Sequence, residues 1–226
     1  MITEYKINWA VPGNIGYFIS TNETGNSKGK YKHANFSNQV GEDSKNVESN
    51  INELKTLHGL NDITFMNQTH SNTVLKVSKE HTDLDCDAMF TEDKTISCAV
   101  LTADCIPILV TESSGRMIGC IHAGWRGLQS NIIGNFFSNF KSISKSNFRI
   151  LLGPCISAQN YEVSDEIFYQ FSNYSERFRK NKSGNYYMDL RYIACDILNE
   201  LGLSLIHISE PTRPERIADA VVCLKK

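Results

Sequence analysis

Apolar residues form two nearly continuous runs in the middle of this chain, at 106–111 and 117–122. Runs of this length without alternating polar positions are typical of strands that are buried on both faces. A third strand is predicted at 96–102, and a turn around Ser113-Ser-Gly separates the two runs. We therefore expect the stretch 95–128 to lie at the centre of a sheet.

Helical periodicity is clearest between Asp43 and Gly59. Asp43 or Ser44 can cap a helix that runs to about His58, and Gly59 can close it. The apolar positions of this helix have spacings of three and four residues: Val47, Ile51, Leu54 and Leu57. Similar patterns predict further helices at 128–140, 165–171 and 190–201, and strands at 63–66, 73–77 and 148–152.

These elements predict a mixed α/β fold, with a single catalytic domain over residues 1–203 and no internal repeat. The segment 204–226 differs in composition, because it contains two of the five prolines and no Asn, Gly, Phe or Tyr. Its first part resembles the translation of a sequencing adapter. We therefore expect this tail not to be native.

Composition narrows the class of protein. A hydrophobic content of 41%, a charged content of 21% and a formal net charge of −2 are typical of a globular protein without a polycationic surface for nucleic acid or membranes. No secretory leader is apparent, and no apolar run approaches the roughly 20 residues that span a bilayer. The seven cysteines form no C-x-x-C pair, which favours a reducing, cytoplasmic location over a disulfide framework.

Candidate chemistry lies at the ends of the buried runs, where Cys105 precedes one strand and His122 ends another. His70, in a polar turn, adds a second imidazole. Zinc accepts thiolate and neutral imidazole, and catalytic zinc sites use three protein ligands. The spacing of His70, Cys105 and His122 alone does not distinguish a zinc site from two incidental histidines and a cysteine of the core. Another alternative makes Cys105 a nucleophile with histidine as its base.

Charged residues flank these positions. Asp104 adjoins Cys105, and Arg126 follows His122 in a glycine-containing turn that leads into a predicted helix, where an anion such as phosphate could bind. Surface packing is the alternative role for Arg126. Asp87 could take part in chemistry or simply cap a turn.

Four motifs together resemble the YfiH-like family, also described as polyphenol oxidase, laccase-domain or FAMIN-related. They are Gln68-Thr-His70, Leu101-Thr-Ala-Asp-Cys105-Ile-Pro-Ile, His122-Ala-Gly-Trp-Arg-Gly and Gly153-Pro-Cys-Ile. The resemblance covers roughly residues 10–203. It implies a single α/β domain related to toxin-type cysteine hydrolases, with zinc held by His70, Cys105 and His122.

The resemblance also implies purine nucleoside chemistry: phosphorolysis of adenosine, inosine, guanosine and methylthioadenosine, and deamination of adenosine, by a monomer or homodimer. In our hypothesis Arg126 holds phosphate, Cys105 is essential, and Asp87 and Asp104 are candidate proton carriers. A copper-dependent polyphenol oxidase and a metal-independent cysteine hydrolase are the alternatives. Copper is disfavoured because six histidines cannot build a multinuclear copper cluster. The loop Ser20-Thr-Asn-Glu-Thr-Gly departs from the family by lacking an arginine.

Overall fold

The long apolar runs form the middle strands of a six-stranded mixed sheet. The computed structural model describes residues 2–80, 84–203, 206–208 and 220–225. The strands of this first sheet, in chain order, are β3 (Val74–Lys76), β4 (Ala88–Thr91), β6 (Ile106–Glu112), β7 (Ile118–Ala123), β8 (Phe148–Leu152) and β12 (Ile206–Ile208). They are arranged in the order β12-β8-β6-β7-β4-β3.

A second sheet contains the four strands β1 (Gly16–Ile19), β2 (Thr64–Phe65), β5 (Cys98–Thr102) and β13 (Ala220–Lys225). They are arranged in the order β1-β13-β5-β2. β2 pairs with β5 in parallel, whereas β13 pairs antiparallel with both β1 and β5. A small antiparallel sheet, which the sequence did not predict, contains β9 (Glu162–Val163), β10 (Phe178–Lys180) and β11 (Tyr186–Met188).

The two large sheets pack face to face, and this arrangement explains why their strands are apolar on both sides. In β6, Ile108 and Val110 face a core shared with helices, whereas Leu109 faces the four-stranded sheet. In β5, Val100 belongs to the core between the sheets and Ala99 to a third core on the outer side. The predicted strands at 96–102, 106–111, 117–122 and 148–152 are therefore confirmed within one or two residues.

Five α-helices lie within the described ranges and pack against the sheets. They are α1 (Ser44–His58), α2 (Trp125–Gln129), α3 (Ile132–Ser138), α4 (Asp165–Gln170) and α5 (Leu190–Glu200). The side chain of Asp43 accepts a hydrogen bond from Lys45 N, and Gly59 ends α1 in the left-handed conformation, as predicted. Among the described residues, no helix is both long and apolar enough to cross a membrane.

The single helix predicted at 128–140 is wrong, because the chain forms α2 and α3 instead. Asn131 separates them with a φ of 68°. Asparagine tolerates this left-handed conformation better than most residues. The hydroxyl of Ser130 donates to Arg126 O at 2.7 Å and so competes with the helical backbone pattern.

The tail that we expected not to be native contributes β12 and β13, both paired with neighbouring strands. Residues 204–205, 209–219 and 226 of this tail lie outside the described residues. Whether 204–226 is native stays a prediction.

Candidate metal centre

The three predicted ligand residues come together at one end of the sheet sandwich. His70 lies in the loop between β2 and β3, Cys105 directly precedes β6, and His122 belongs to β7. The antiparallel pairing of β6 with β7 sets Pro107 opposite His122 and so places Cys105 beside it. Residues that are 35 and 17 positions apart in sequence thus share one site.

The donor atoms of this group could hold a metal ion, since all three lie within 4.8 Å of one another. Cys105 Sγ is 3.8 Å from His70 Nε2, and the two imidazole rings have centroids 4.8 Å apart at an angle of 75°. Ligands of tetrahedral zinc are about 3.3–3.8 Å apart, from zinc–nitrogen and zinc–sulfur bond lengths near 2.0–2.3 Å. Side-chain movements of about 1 Å would therefore close the group onto zinc.

Gly124 keeps open the space beside these donors. A Cβ atom at this position would lie 2.8 Å from Cys105 Sγ and 3.1 Å from His70 Cδ2, which is closer than atoms pack. Gly124 has a φ of −79°, so its backbone does not require glycine. The lack of a side chain here therefore matches a cradle for an ion.

Asp87 lies behind the ligands and has no exposed surface. Its Oδ1 accepts from His122 Nδ1 at 2.8 Å and His70 N at 3.0 Å, while Oδ2 accepts from Ser71 N at 2.6 Å and Ser71 Oγ at 2.7 Å. Thr69 N also donates to Oδ2, at 3.2 Å. A carboxylate that holds the second nitrogen of a ligating histidine fixes its tautomer and orientation. Burial opposes ionisation, but the hydrogen bonds from His122 and Ser71 lower the pKa of Asp87 well below its usual range.

The backbone of His70 adopts a left-handed conformation with a φ of 59°. A non-glycine residue in this region costs of order 1–3 kcal/mol and persists only where its surroundings fix it. Asp87 supplies that restraint, because it accepts from three consecutive backbone N–H groups around His70. In this conformation Nε2 of the imidazole lies 3.8 Å from Cys105 Sγ.

The pKa values of His122 and His70 are shifted in opposite directions. Burial disfavours the charged form of His122, but hydrogen bonds to Asp87 and Cys105 raise its pKa to about 9. Partial burial and the neighbouring charge of His122 lower the pKa of His70, with Asp87 opposing this shift. Because His122 Nδ1 is bound by Asp87, its Nε2 remains as the donor atom for an ion.

Asp104 and Arg126 are exposed at the same end of the molecule. The guanidinium of Arg126 stacks over the ring of Trp125 at 4.4 Å, and its charge contributes to the lowered pKa of His70. The expected helix N-terminus for an anion belongs to α2, which has only five residues. Anion binding by Arg126 stays a prediction. The sequence analysis did not identify Tyr161, which lies near Cys105. Burial, and after it the charge of Cys105, raise the pKa of Tyr161 to about 12.

A cavity of about 600 Å³ opens beside the three ligand residues. It is lined by His70, Asp104, Cys105 and His122 at one end. Apolar and amide side chains line the rest, including Phe36, Ile51, Phe65, Leu84, Leu101, Gln39, Asn67 and Gln68. Its size lies within the range of small-molecule sites, about 300–1,000 Å³.

The fold and the site together define a class of protein: an α/β domain with two large sheets and a Cys/His₂ group beside a cavity. The chain belongs to the family described as multi-copper polyphenol oxidoreductase laccase, whose model matches residues 16–213. This finding confirms the resemblance to YfiH-like proteins.

Relatives of this family carry a different name. The chain is 32% identical over 207 residues to a purine nucleoside phosphorylase of Haemophilus influenzae, covering 88% of this chain and 84% of the relative. It is also 32% identical over 206 residues to purine nucleoside phosphorylase RP494 of Rickettsia prowazekii, with the same coverage of both chains.

Solved structures confirm the fold. Protein NMB0706 of Neisseria meningitidis, of family DUF152, superposes with a TM-score of 0.90 at 26% identity over 99% of this chain and 98% of its own. YfiH of Bacillus licheniformis gives a TM-score of 0.87 at 19% identity, over 93% of this chain and 92% of its own.

Proposed function

We propose that this protein is a zinc-dependent purine nucleoside phosphorylase. The observation that carries the proposal is the convergence of one thiol and two imidazoles within 4.8 Å, at the end of a cavity, in a chain whose relatives are named purine nucleoside phosphorylases. The donor set fits zinc, and Gly124 leaves the necessary space. His70, Cys105 and His122 would hold the ion.

The cavity offers chemistry suited to a purine nucleoside. Aromatic and aliphatic side chains such as Phe36, Phe65 and Leu101 can contact the faces of the base. The amides of Gln39 and Asn67 can bond to its polar edges. The nucleoside would then lie with its sugar towards the metal ligands.

Phosphate would bind to Arg126, whose planar guanidinium forms paired hydrogen bonds with phosphate oxygens. In phosphorolysis a phosphate oxygen forms a bond to ribose C1′ while the C1′–N9 bond breaks, and the electron pair leaves with the base. The products are ribose 1-phosphate and the free base, which takes up one proton. Exposed Asp104 is our candidate for transferring that proton, whereas the hydrogen-bonded Asp87 is assigned to positioning.

Adenosine deamination, in which water converts adenosine to inosine and ammonia, is proposed for the same cavity, with the amino group of the base rather than the sugar towards the metal ligands. When bound, zinc would supply Lewis-acid chemistry for these reactions. The chain itself would orient the base, exclude bulk water and hold the ligands. Asp104 is again the exposed carboxylate available for proton transfer.

The family description keeps copper-dependent phenol oxidation as a second candidate. Among the described residues, His70, Cys105 and His122 form the one group of three or more potential ligands that lie close together. A multinuclear copper cluster would need more histidines than this group provides. A cysteine hydrolase without metal would use the same Cys105 and a neighbouring histidine.

The deciding experiment incubates protein of measured metal content with inosine or adenosine, with and without phosphate. We expect phosphate-dependent release of base and ribose 1-phosphate, and phosphate-independent conversion of adenosine to inosine. Cys105→Ala should lose both zinc and activity, whereas the matched control Cys195→Ala, in helix α5, should keep both. Full activity of Cys105→Ala would refute the site.

Other outcomes separate the alternatives. No base release by zinc-loaded protein would overturn the phosphorylase proposal. Oxidation of phenols by copper-loaded protein alone would favour the oxidase. Activity that survives complete removal of metal but is abolished by thiol alkylation would favour the hydrolase.

A further inference from the structure

We propose that Gln68 is a positioning residue that sets the separation of His70 from Cys105 and thereby the affinity of the centre for metal. The proposal rests on the proposed function in one respect, since it takes these side chains as ligands of a bound ion. Gln68 itself is not placed among the ligands. Its role follows from the hydrogen bonds of its side chain.

The amide of Gln68 replaces a strand pairing that the backbone no longer makes. β2 pairs in parallel with β5 only through Thr64 and Phe65. Three residues after β2 ends, Gln68 Nε2 donates to Leu101 O at 2.8 Å, and Leu101 N donates to Gln68 Oε1 at 2.9 Å. One side-chain amide thus satisfies both backbone groups of a residue in β5, as a neighbouring strand would.

This pair closes a triangle among the three ligand residues. The separation of Cys105 from His122 is fixed by the pairing of β6 with β7. The separation of His122 from His70 is fixed by Asp87, which accepts hydrogen bonds from both residues. Within the described part of the chain, none of the hydrogen bonds of Asp87 reaches Cys105.

The third side of the triangle depends on Gln68. Leu101 lies in β5, four residues before Cys105, and Gln68 lies two residues before His70. The amide pair therefore ties the His70 loop to the strand that leads to the thiol. Without this tie, Asp87 would still hold His70 near His122, but the distance from His70 to Cys105 would vary more.

The two hydrogen bonds between Gln68 and Leu101 require a side chain that both donates and accepts, as an amide does. Alanine removes both bonds, and glutamate places a carboxylate oxygen against Leu101 O, where neither atom can donate. Changing residues that orient metal ligands typically weakens metal binding 10–100-fold, or about 1.4–2.8 kcal/mol. We expect Gln68→Ala and Gln68→Glu each to weaken zinc binding by about this factor.

The test measures zinc affinity by competition with a chromophoric chelator. Ile63→Val serves as a matched control for stability, because Ile63 is buried just before β2 and its truncation costs about 0.5–1.5 kcal/mol without touching the Gln68 pair. The cobalt-substituted protein supplies a second measurement. At saturating cobalt, both Gln68 variants should keep the thiolate charge-transfer band but show shifted ligand-field bands, as His70 becomes a poorer ligand.

The proposal is overturned if both Gln68 variants bind zinc within threefold of wild type, or lose no more affinity than Ile63→Val. An unchanged cobalt spectrum in both variants would also overturn it. Failure of the proposed function gives a different result. Wild-type protein that binds zinc but releases no purine base would refute the phosphorylase, while the comparison of zinc affinities would still decide the role of Gln68.

Discussion

Replacing Asp87 with asparagine should weaken metal binding without changing the shape of the site. The two side chains have the same size, but the amide replaces one acceptor oxygen with an NH₂ group. In the native protein, Oδ2 faces two backbone N–H groups, of Thr69 and Ser71. Oδ1 faces one backbone N–H group, of His70, and the Nδ1 atom of His122.

The two orientations of the new amide have different costs. With NH₂ on the Oδ2 side, the N–H groups of Thr69 and Ser71 both lose their acceptor, at about 1–3 kcal/mol each. With NH₂ on the Oδ1 side, only His70 N loses its acceptor, because His122 can change tautomer and accept at Nδ1. The second orientation is therefore favoured, and Asp87→Asn should lower the free energy of unfolding by about 1–3 kcal/mol.

The favoured orientation is the one that opposes metal binding. The tautomer that accepts at Nδ1 carries its proton on Nε2, the atom that must bind the ion. Binding then requires the other orientation and one more unsatisfied N–H group, at a further cost of about 1–3 kcal/mol. We therefore expect zinc affinity to fall by about 10–100-fold.

Two measurements test this reasoning: urea denaturation of chelator-treated protein, and zinc affinity by chelator competition. Asp85→Asn is the matched control, because Asp85 is exposed and only two residues away. Asp85→Asn should change neither quantity appreciably. An Asp87→Asn protein with wild-type zinc affinity would refute the proposed orientation of His122, whatever its stability.

Three further changes have definite expected outcomes. Gly124→Ala, whose Cβ would lie 2.8 Å from Cys105 Sγ, should lower bound zinc at least about tenfold, and metal analysis showing a full complement would contradict this. Arg126→Ala should raise the KM for phosphate about 10–100-fold with zinc content unchanged, and Arg126→Lys should recover only part of the loss. An unchanged KM for phosphate would show that Arg126 does not bind phosphate. Burial opposes the charge of Glu112, but hydrogen bonds from Ser114 and the backbone of Arg116 lower its pKa below 4.5. The ionised carboxylate therefore stabilises the fold above pH 4.5, and this stabilisation is lost as the pH falls through the folded-state pKa. Glu112→Gln should lower the free energy of unfolding, measured by urea denaturation, by about 1–3 kcal/mol near pH 7 and by progressively less below pH 4.5. A cost that is constant with pH would contradict this assignment.

The central strands could be predicted because their residues report burial directly. A strand covered on both faces cannot alternate with polar residues, and 106–111 and 117–122 show no such alternation. Helix α1 could be predicted equally well, because Asp43 caps its N-terminus and Gly59 ends it in the left-handed conformation. Local signals of this kind depend on few neighbours in sequence.

The break between α2 and α3 left no such signal. Leu128 before the break and Ile132 and Phe136 after it keep a spacing of four residues, so periodicity alone continues through Asn131. Asp87 presents the same difficulty, because an acidic residue before a strand can cap a turn or lie fully buried. Only the fold, which brings the 69–71 loop and His122 around it, distinguishes these cases.

The predicted metal ligands lie between these two cases. Their residue types suggested zinc, but their proximity depends on long-range pairing, and the family motifs were needed to select them. Each side of the ligand triangle is fixed by protein contacts: strand pairing, Asp87 and, in our proposal, Gln68. The described residues form three hydrophobic cores that stabilise the sheets independently of this centre. Small zinc domains fold only with their metal because they lack such a core. In this protein the ion would bind to a scaffold that is already folded. The free energy of unfolding of the chelator-treated protein and its affinity for zinc can therefore be measured as separate quantities.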